Sequence, residues 1–137
     1  MTPEKTFENQ VKRWLTGAGI YALGTPEDEM TVPPIGYFEK RWGGGYSQKG
    51  LPDLHLVVNG INLDVELKAE TGRPTDIQRF MIRQINNCGS LALILYPGGF
   101  QEFKTLIKGV CECNSVIPAL NALKAVHLSF NYGTKTK

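Results

Sequence analysis

Asp53, Glu66 and Lys68 are the residues whose types and spacing could do chemistry. Asn59-Gly60 lies between two runs of strand character, Leu54-His55-Leu56-Val57-Val58 and Ile61-Asn62-Leu63-Asp64-Val65-Glu66-Leu67-Lys68. That dipeptide is a strong short-range hairpin signal, because both of its residues tolerate the positive φ of a tight turn. A two-residue loop fixes the register. Val58 then faces Ile61, and Asp53 lies opposite Glu66. Directly paired residues share a face, with Cα atoms about 4.5–5.5 Å apart. Lys68, two residues beyond Glu66, is on that same face. Two carboxylates so close repel each other unless a cation lies between them. Hard oxygen donors on a rigid hairpin suit Mg²⁺ or Mn²⁺. A lysine beside such an ion can orient or deprotonate a water. Together these parts describe phosphodiester hydrolysis. The competing reading of the trio is an ordinary surface charge network.

The elements around the hairpin must hold it in place. Thr2 caps a first helix, with Pro3 at its first position and Glu4 at its positive end. Phe7, Val11, Trp14 and Leu15 form its apolar face, and Gly17 and Gly19 end it. A short strand over 20–23 follows. Residues 24–50, rich in Pro and Gly, read as a long irregular segment, and segments of that kind often carry function. After the hairpin, Thr75 and Gln78 have capping-box spacing. The helix they open has Ile77, Phe80, Met81, Ile85 and Cys88 as its expected buried stripe. A strand over 90–96, apolar on both faces, suits the middle of a covered sheet. A helix carrying Phe100, Phe103, Leu106, Ile107 and Val110 comes next. A shorter helix over 117–126 and a last strand over 127–130 complete the expectation.

Composition bounds the function class. The chain has 137 residues, 42% hydrophobic and 20% charged, which suits one domain with a real core and excludes a disordered chain. Its longest apolar run, 91–96, is too short to span a bilayer. The N-terminus lacks the apolar run of a secretory signal. Three cysteines without framework spacing suit a reduced, cytoplasmic protein. Residues 1–70 hold seven Lys/Arg against ten Asp/Glu, and residues 71–137 hold eight against three. That division suits a metal site beside a phosphate-binding surface, and equally an ordinary dipolar protein. With only two histidines, a metal site built mainly from imidazole is hard to assemble.

Gly50-Leu51-Pro52-Asp53, then Glu66-Leu67-Lys68, then Gln78 on the following helix, resembles the PD-(D/E)XK nuclease signature in its VRR-NUC form. Glu8, followed by Val11 and Leu15, is similar to the first-helix glutamate of Holliday-junction resolvases in the same superfamily. The resemblance covers roughly residues 4–97, with 98–137 as a helical extension of a single domain. It implies an α/β fold with a restriction-endonuclease-like core, in which helices flank a central mixed sheet bearing the catalytic hairpin. It implies an Mg²⁺- or Mn²⁺-dependent DNA endonuclease selective for branched, flap or junction DNA, working as a homodimer. Asp53, Glu66 and the Leu67 carbonyl would ligate the metal, and Lys68 would position the attacking water. Gln78 would support Lys68 or a phosphate, and Glu8 would bind a second metal or a water of the first.

Alternatives stand beside these roles. Gln78 could serve only the capping box. Glu8 could be a solvated rim residue, with Glu4 in its place. Lys40, Arg41, Lys49, Arg73, Arg79 and Arg83 are candidate DNA contacts, with Arg79 and Arg83 as a phosphate rail, or else simple surface charge. His55, opposite Asp64, reads as a structural partner or a peripheral DNA contact. The rival function is a nuclease fold kept for gripping DNA or protein. A nucleotide hydrolase ranks lower, since no P-loop pattern is present.

Overall fold

The computed structural model describes residues 1–41 and 49–112. The expected helix over 117–126, the strand over 127–130 and the Gly43-Gly44-Gly45 run lie outside the described residues. Within them the chain is α/β. Helix α1 (Pro3–Gly17) leads into β1 (Ile20–Ala22), β2 (Gly36–Lys40), β3 (Leu54–Val58) and β4 (Ile61–Leu67). Helix α2 (Asp76–Asn87), β5 (Leu91–Leu95) and α3 (Phe100–Glu112) follow. The five strands form one mixed sheet in chain order. β3 is antiparallel to both of its neighbours, β2 and β4, while β1 joins β2 and β5 joins β4 in parallel.

The hairpin has the register its turn requires. Asn59 and Gly60 both have positive φ, 50° and 80°. Val58 pairs with Ile61, His55 with Asp64 and Leu54 with Val65. One sheet face carries Leu54, Leu56, Val58, Leu63, Val65 and Leu67, all buried. α1 packs on it through Phe7, Val11 and Leu15, and α3 through Phe103, Leu106, Ile107 and Val110. Edge-on contact of Phe100 with Phe7, ring centroids 5.6 Å apart, links the two helices. This apolar face is the main core.

Two expectations need correction. The segment over 24–50 is not irregular throughout, because β2 lies inside it. Its sequence, Gly-Tyr-Phe-Glu-Lys, buries only Phe38 fully and is too short to announce itself among the prolines. It forms because β3 offers a free edge, and all five of its residues pair there. Gly36 permits that approach: a Cβ at this position would lie 2.2 Å from the Val57 carbonyl oxygen. Gly36→Ala should therefore destabilise the fold by roughly 1–3 kcal/mol. A urea melt of the variant checks this, and unchanged stability would mean that β2 does not need so close an approach.

The second correction concerns α2. Of the expected Ile77, Phe80, Met81, Ile85 and Cys88, Ile85 does pack against the buried cluster, but Ile77, Phe80 and Cys88 do not form the buried face. Ile82 is the fully buried residue, packed with Ala92, Ile94 and Tyr96, and Ile85 lies beside them. Ile77 and Phe80 are 41% and 42% exposed, and Cys88 is exposed. The helix turns this way because two polar residues on the Ile82 side bond to the sheet. Gln78 reaches Glu66, and the Asn86 side chain both donates to the Ala92 carbonyl and accepts from its N–H. A stripe read from apolar residues alone misses a face made half of amides.

Candidate active site

Asp53 stands immediately before β3, and Glu66 is the penultimate residue of β4. The carboxylate of Asp53 crosses to the neighbouring strand, where its Oδ2 accepts the Leu67 N–H at 2.9 Å. The hairpin register thus brings Asp53 beside Glu66, as the turn dictates. The chain entering Asp53 is held as well. Gly50 has φ +83°, and its Cβ would lie 2.9 Å from the Ile77 carbonyl oxygen, so a bare backbone packs on the start of α2. The Arg41 N–H donates to the Asp53 carbonyl at 2.7 Å, continuing the β2–β3 pairing.

Glu66 is 2% exposed. Its Oε2 accepts from Gln78 Nε2 at 3.1 Å and lies 3.5 Å from Lys68 Nζ. Its Oε1 is buried and has no hydrogen-bond partner among the described residues. Burial first, and then the adjacent Asp53 carboxyl, push the Glu66 carboxyl up to about 8, against the pull of Lys68. At neutral pH without a cation, this pair holds a proton.

Gln78 meets both of its readings. Its Oε1 accepts the Thr75 N–H at 2.8 Å, and the Gln78 N–H donates to Thr75 Oγ1 at 3.1 Å, completing the capping box. With Oε1 used by the cap, Nε2 is directed at Glu66. A helix start thereby fixes the orientation of a carboxylate. The support goes to Glu66, not directly to Lys68.

Glu8 is brought into the same neighbourhood from α1. It is buried, and three ammonium groups surround it: Lys40 at 2.6 Å, Lys12 at 2.7 Å and Lys5 at 3.0 Å. Burial alone would raise its carboxyl, but hydrogen bonds from Lys12, Lys40 and Lys5 outweigh that and hold it at about 2. Lys40 Nζ is also 3.9 Å from Asp53 Oδ1, so it links the two acids. A cleft of about 300 Å³ lies here, lined by Glu4, Lys5, Glu8, Lys40 and Asp53 among others. Glu4 is exposed.

The basic residues divide. Arg41 pairs with buried Asp64 at 2.8 Å and also donates to the Pro52 carbonyl. It therefore holds the frame behind Asp53. His55 Nδ1 lies 3.0 Å from the same Asp64 oxygen, which makes it a structural partner. Lys49, Arg73, Arg79 and Arg83 are exposed. Arg79 pairs with Asp76 at 2.6 Å, but Asp76 is 98% exposed. Such a pair contributes little, so a phosphate can displace it readily.

Sequence reasoning missed Lys5, Lys12 and Tyr96. The first two lie three before and four after Glu8, a helical ion-pair spacing legible in the sequence. Tyr96 follows β5, and its buried hydroxyl has no partner among the described residues. Burial raises its pKa, while the charges of Arg73 and Arg79 act against that.

The donor set fits one hard divalent ion. Asp53 and Glu66 each have one oxygen tied by a protein donor, and the other Glu66 oxygen is buried and unsatisfied among the described residues. The Leu67 carbonyl is a third oxygen on the same strand. Among the described residues no group of three or more His, Cys, Asp or Glu side chains converges on one point, so water or phosphate oxygens would complete the shell. Compared with protein-family models, curated proteins and solved structures, the chain matches none. No helix among the described residues is long and apolar enough to cross a membrane.

Proposed function

We propose that the protein is an Mg²⁺- or Mn²⁺-dependent DNA endonuclease of the PD-(D/E)XK type, close to the VRR-NUC form. One observation carries this reading above the others. Two carboxylates lie side by side at the open end of a hairpin, one with a buried oxygen that has no hydrogen-bond partner among the described residues, and a lysine stands 3.5 Å away. A mere charge network would leave these groups in water. Burying them without a cation is costly. The mixed sheet, with the hairpin at its centre and helices on both faces, supports the restriction-endonuclease-like part of the reading.

The residues then have separable tasks. Asp53, Glu66 and the Leu67 carbonyl would hold the ion, which when bound activates water and neutralises phosphate charge. Gln78 keeps Glu66 in its rotamer while capping α2. Lys68 places a positive charge beside Glu66, where attack on phosphorus builds negative charge. Arg41 and Asp64 brace the chain that delivers Asp53. One such centre cuts one strand, so two-strand cleavage needs a second copy, and a homodimer is the simplest working form.

The test is a panel of flap, junction, nicked and linear duplex DNAs incubated with Mg²⁺, Mn²⁺ or EDTA. Branched DNA should be cut preferentially, and EDTA should stop cleavage. DNA that is bound but never cut, with either metal, would replace the enzyme with a binding module. The same DNAs probe the rail formed by Lys49, Arg73, Arg79 and Arg83. Affinity should fall steeply with salt, and Arg79→Ala should lower the slope of log K against log[salt] by about one. An affinity indifferent to salt would remove the rail.

A further inference from the structure

A second divalent ion between Glu8 and Asp53 would need free oxygens on both. An ammonium already stands there. Lys40 Nζ is 2.6 Å from Glu8 Oε1 and 3.9 Å from Asp53 Oδ1. The other Glu8 oxygen is taken by Lys12 at 2.7 Å and Lys5 at 3.0 Å. Both oxygens of this buried carboxylate are therefore engaged, and three positive charges converge on one negative one. A dication arriving here would meet that excess of positive charge and would have to displace a lysine to reach any oxygen.

We infer that the chain holds a single divalent ion, at Asp53 and Glu66, and that the Lys40 ammonium takes the place of a second cation between Glu8 and Asp53. Glu8 is then a positioning residue. It anchors Lys40 from α1 and keeps that charge at a fixed distance from the Asp53 carboxylate. The positive charge is built into the protein, present whether or not metal is abundant. This inference rests on the metal-site reading proposed above.

Mn²⁺ binding, without DNA, tests it. Calorimetry and Mn²⁺ electron paramagnetic resonance on the whole chain should give one ion per protein and no spin-coupled pair. Lys40→Gln keeps the side-chain length and removes the charge. It should bind the first ion about 3- to 10-fold more tightly, because a neighbouring cation is gone, and admit a second, weaker ion at millimolar Mn²⁺. Two ions in the wild type would overturn the inference while leaving the nuclease reading intact. Lys40→Gln with one ion at unchanged affinity would overturn it too. No bound ion in the wild type would overturn the metal-site reading and this inference with it. Should Lys40→Gln fail to fold, the wild-type stoichiometry still decides, one ion supporting the inference and two refuting it.

Discussion

Lys68→Ala should cut DNA about 10²-fold more slowly than the wild type, or worse, while binding it almost as well. Lys68 Nζ lies 3.5 Å from Glu66 Oε2, so its charge sits beside the carboxylate proposed to hold the ion. Negative charge on the phosphate grows during attack, so this ammonium does more for the transition state than for bound DNA. In binding it is one positive charge among several. Asp53→Ala should abolish cleavage by a different route. It removes a donor to the ion and also the acceptor for the Leu67 N–H at 2.9 Å. Its DNA affinity without metal should rise slightly, since a negative charge leaves the surface. Single-turnover cleavage alongside a binding titration separates the cases. Lys68→Ala cutting at the wild-type rate would show that the roles around Glu66 are misassigned, even in a nuclease.

The site was legible where local chemistry determines geometry. Asn59-Gly60 admits a two-residue turn, the turn sets the register, and the register alone places Asp53 beside Glu66. The Thr75–Gln78 spacing likewise located a helix start that also serves the site. Legibility failed where tertiary contact decides. β2 has little strand signal of its own, being only five residues long and closely following Pro33-Pro34, and it forms because β3 offers it an edge. Since β2 carries Lys40 and delivers Arg41 directly after it, missing it hid both the ammonium between Glu8 and Asp53 and the brace on Asp64. The rotation of α2 was hidden for a related reason. Gln78 and Asn86 turn the helix through hydrogen bonds to particular sheet groups, and apolar periodicity carries no record of such partners. Glu8 sat at the edge of an apolar face in the sequence. Two of its three lysines come from its own helix, but the one that ties it to the site comes from a strand 32 residues away.

Glu66→Gln should make the metal-free protein more stable at pH 8 and leave it nearly unchanged at pH 5. The folded state holds the Glu66 carboxyl at about 8, against an ordinary value of 4.5. Between those values the unfolded chain has released a proton that the folded chain keeps. The unfolded state therefore binds fewer protons, and stability falls as pH rises through this window. Below about pH 4.5 the penalty is absent; above about pH 8 it is complete, with an upper bound of about 5 kcal/mol. Glutamine is neutral at every pH, and its amide can donate to Asp53, so the variant escapes the penalty. Divalent metal should stabilise the wild type alone. At pH 8, millimolar Mg²⁺ or Mn²⁺ should raise the melting temperature of the wild type by several degrees and leave Glu66→Gln unmoved. Metal binding near neutral pH should also release about one proton per ion, because the cation replaces the proton that the carboxylate pair holds. Melting curves from pH 5 to 9, with EDTA and with metal, read all of this. A wild type whose metal-free stability is flat across that range, and which metal does not stabilise, would mean that the Glu66 carboxyl carries no strained charge, and the case for an ion between Glu66 and Asp53 would fall.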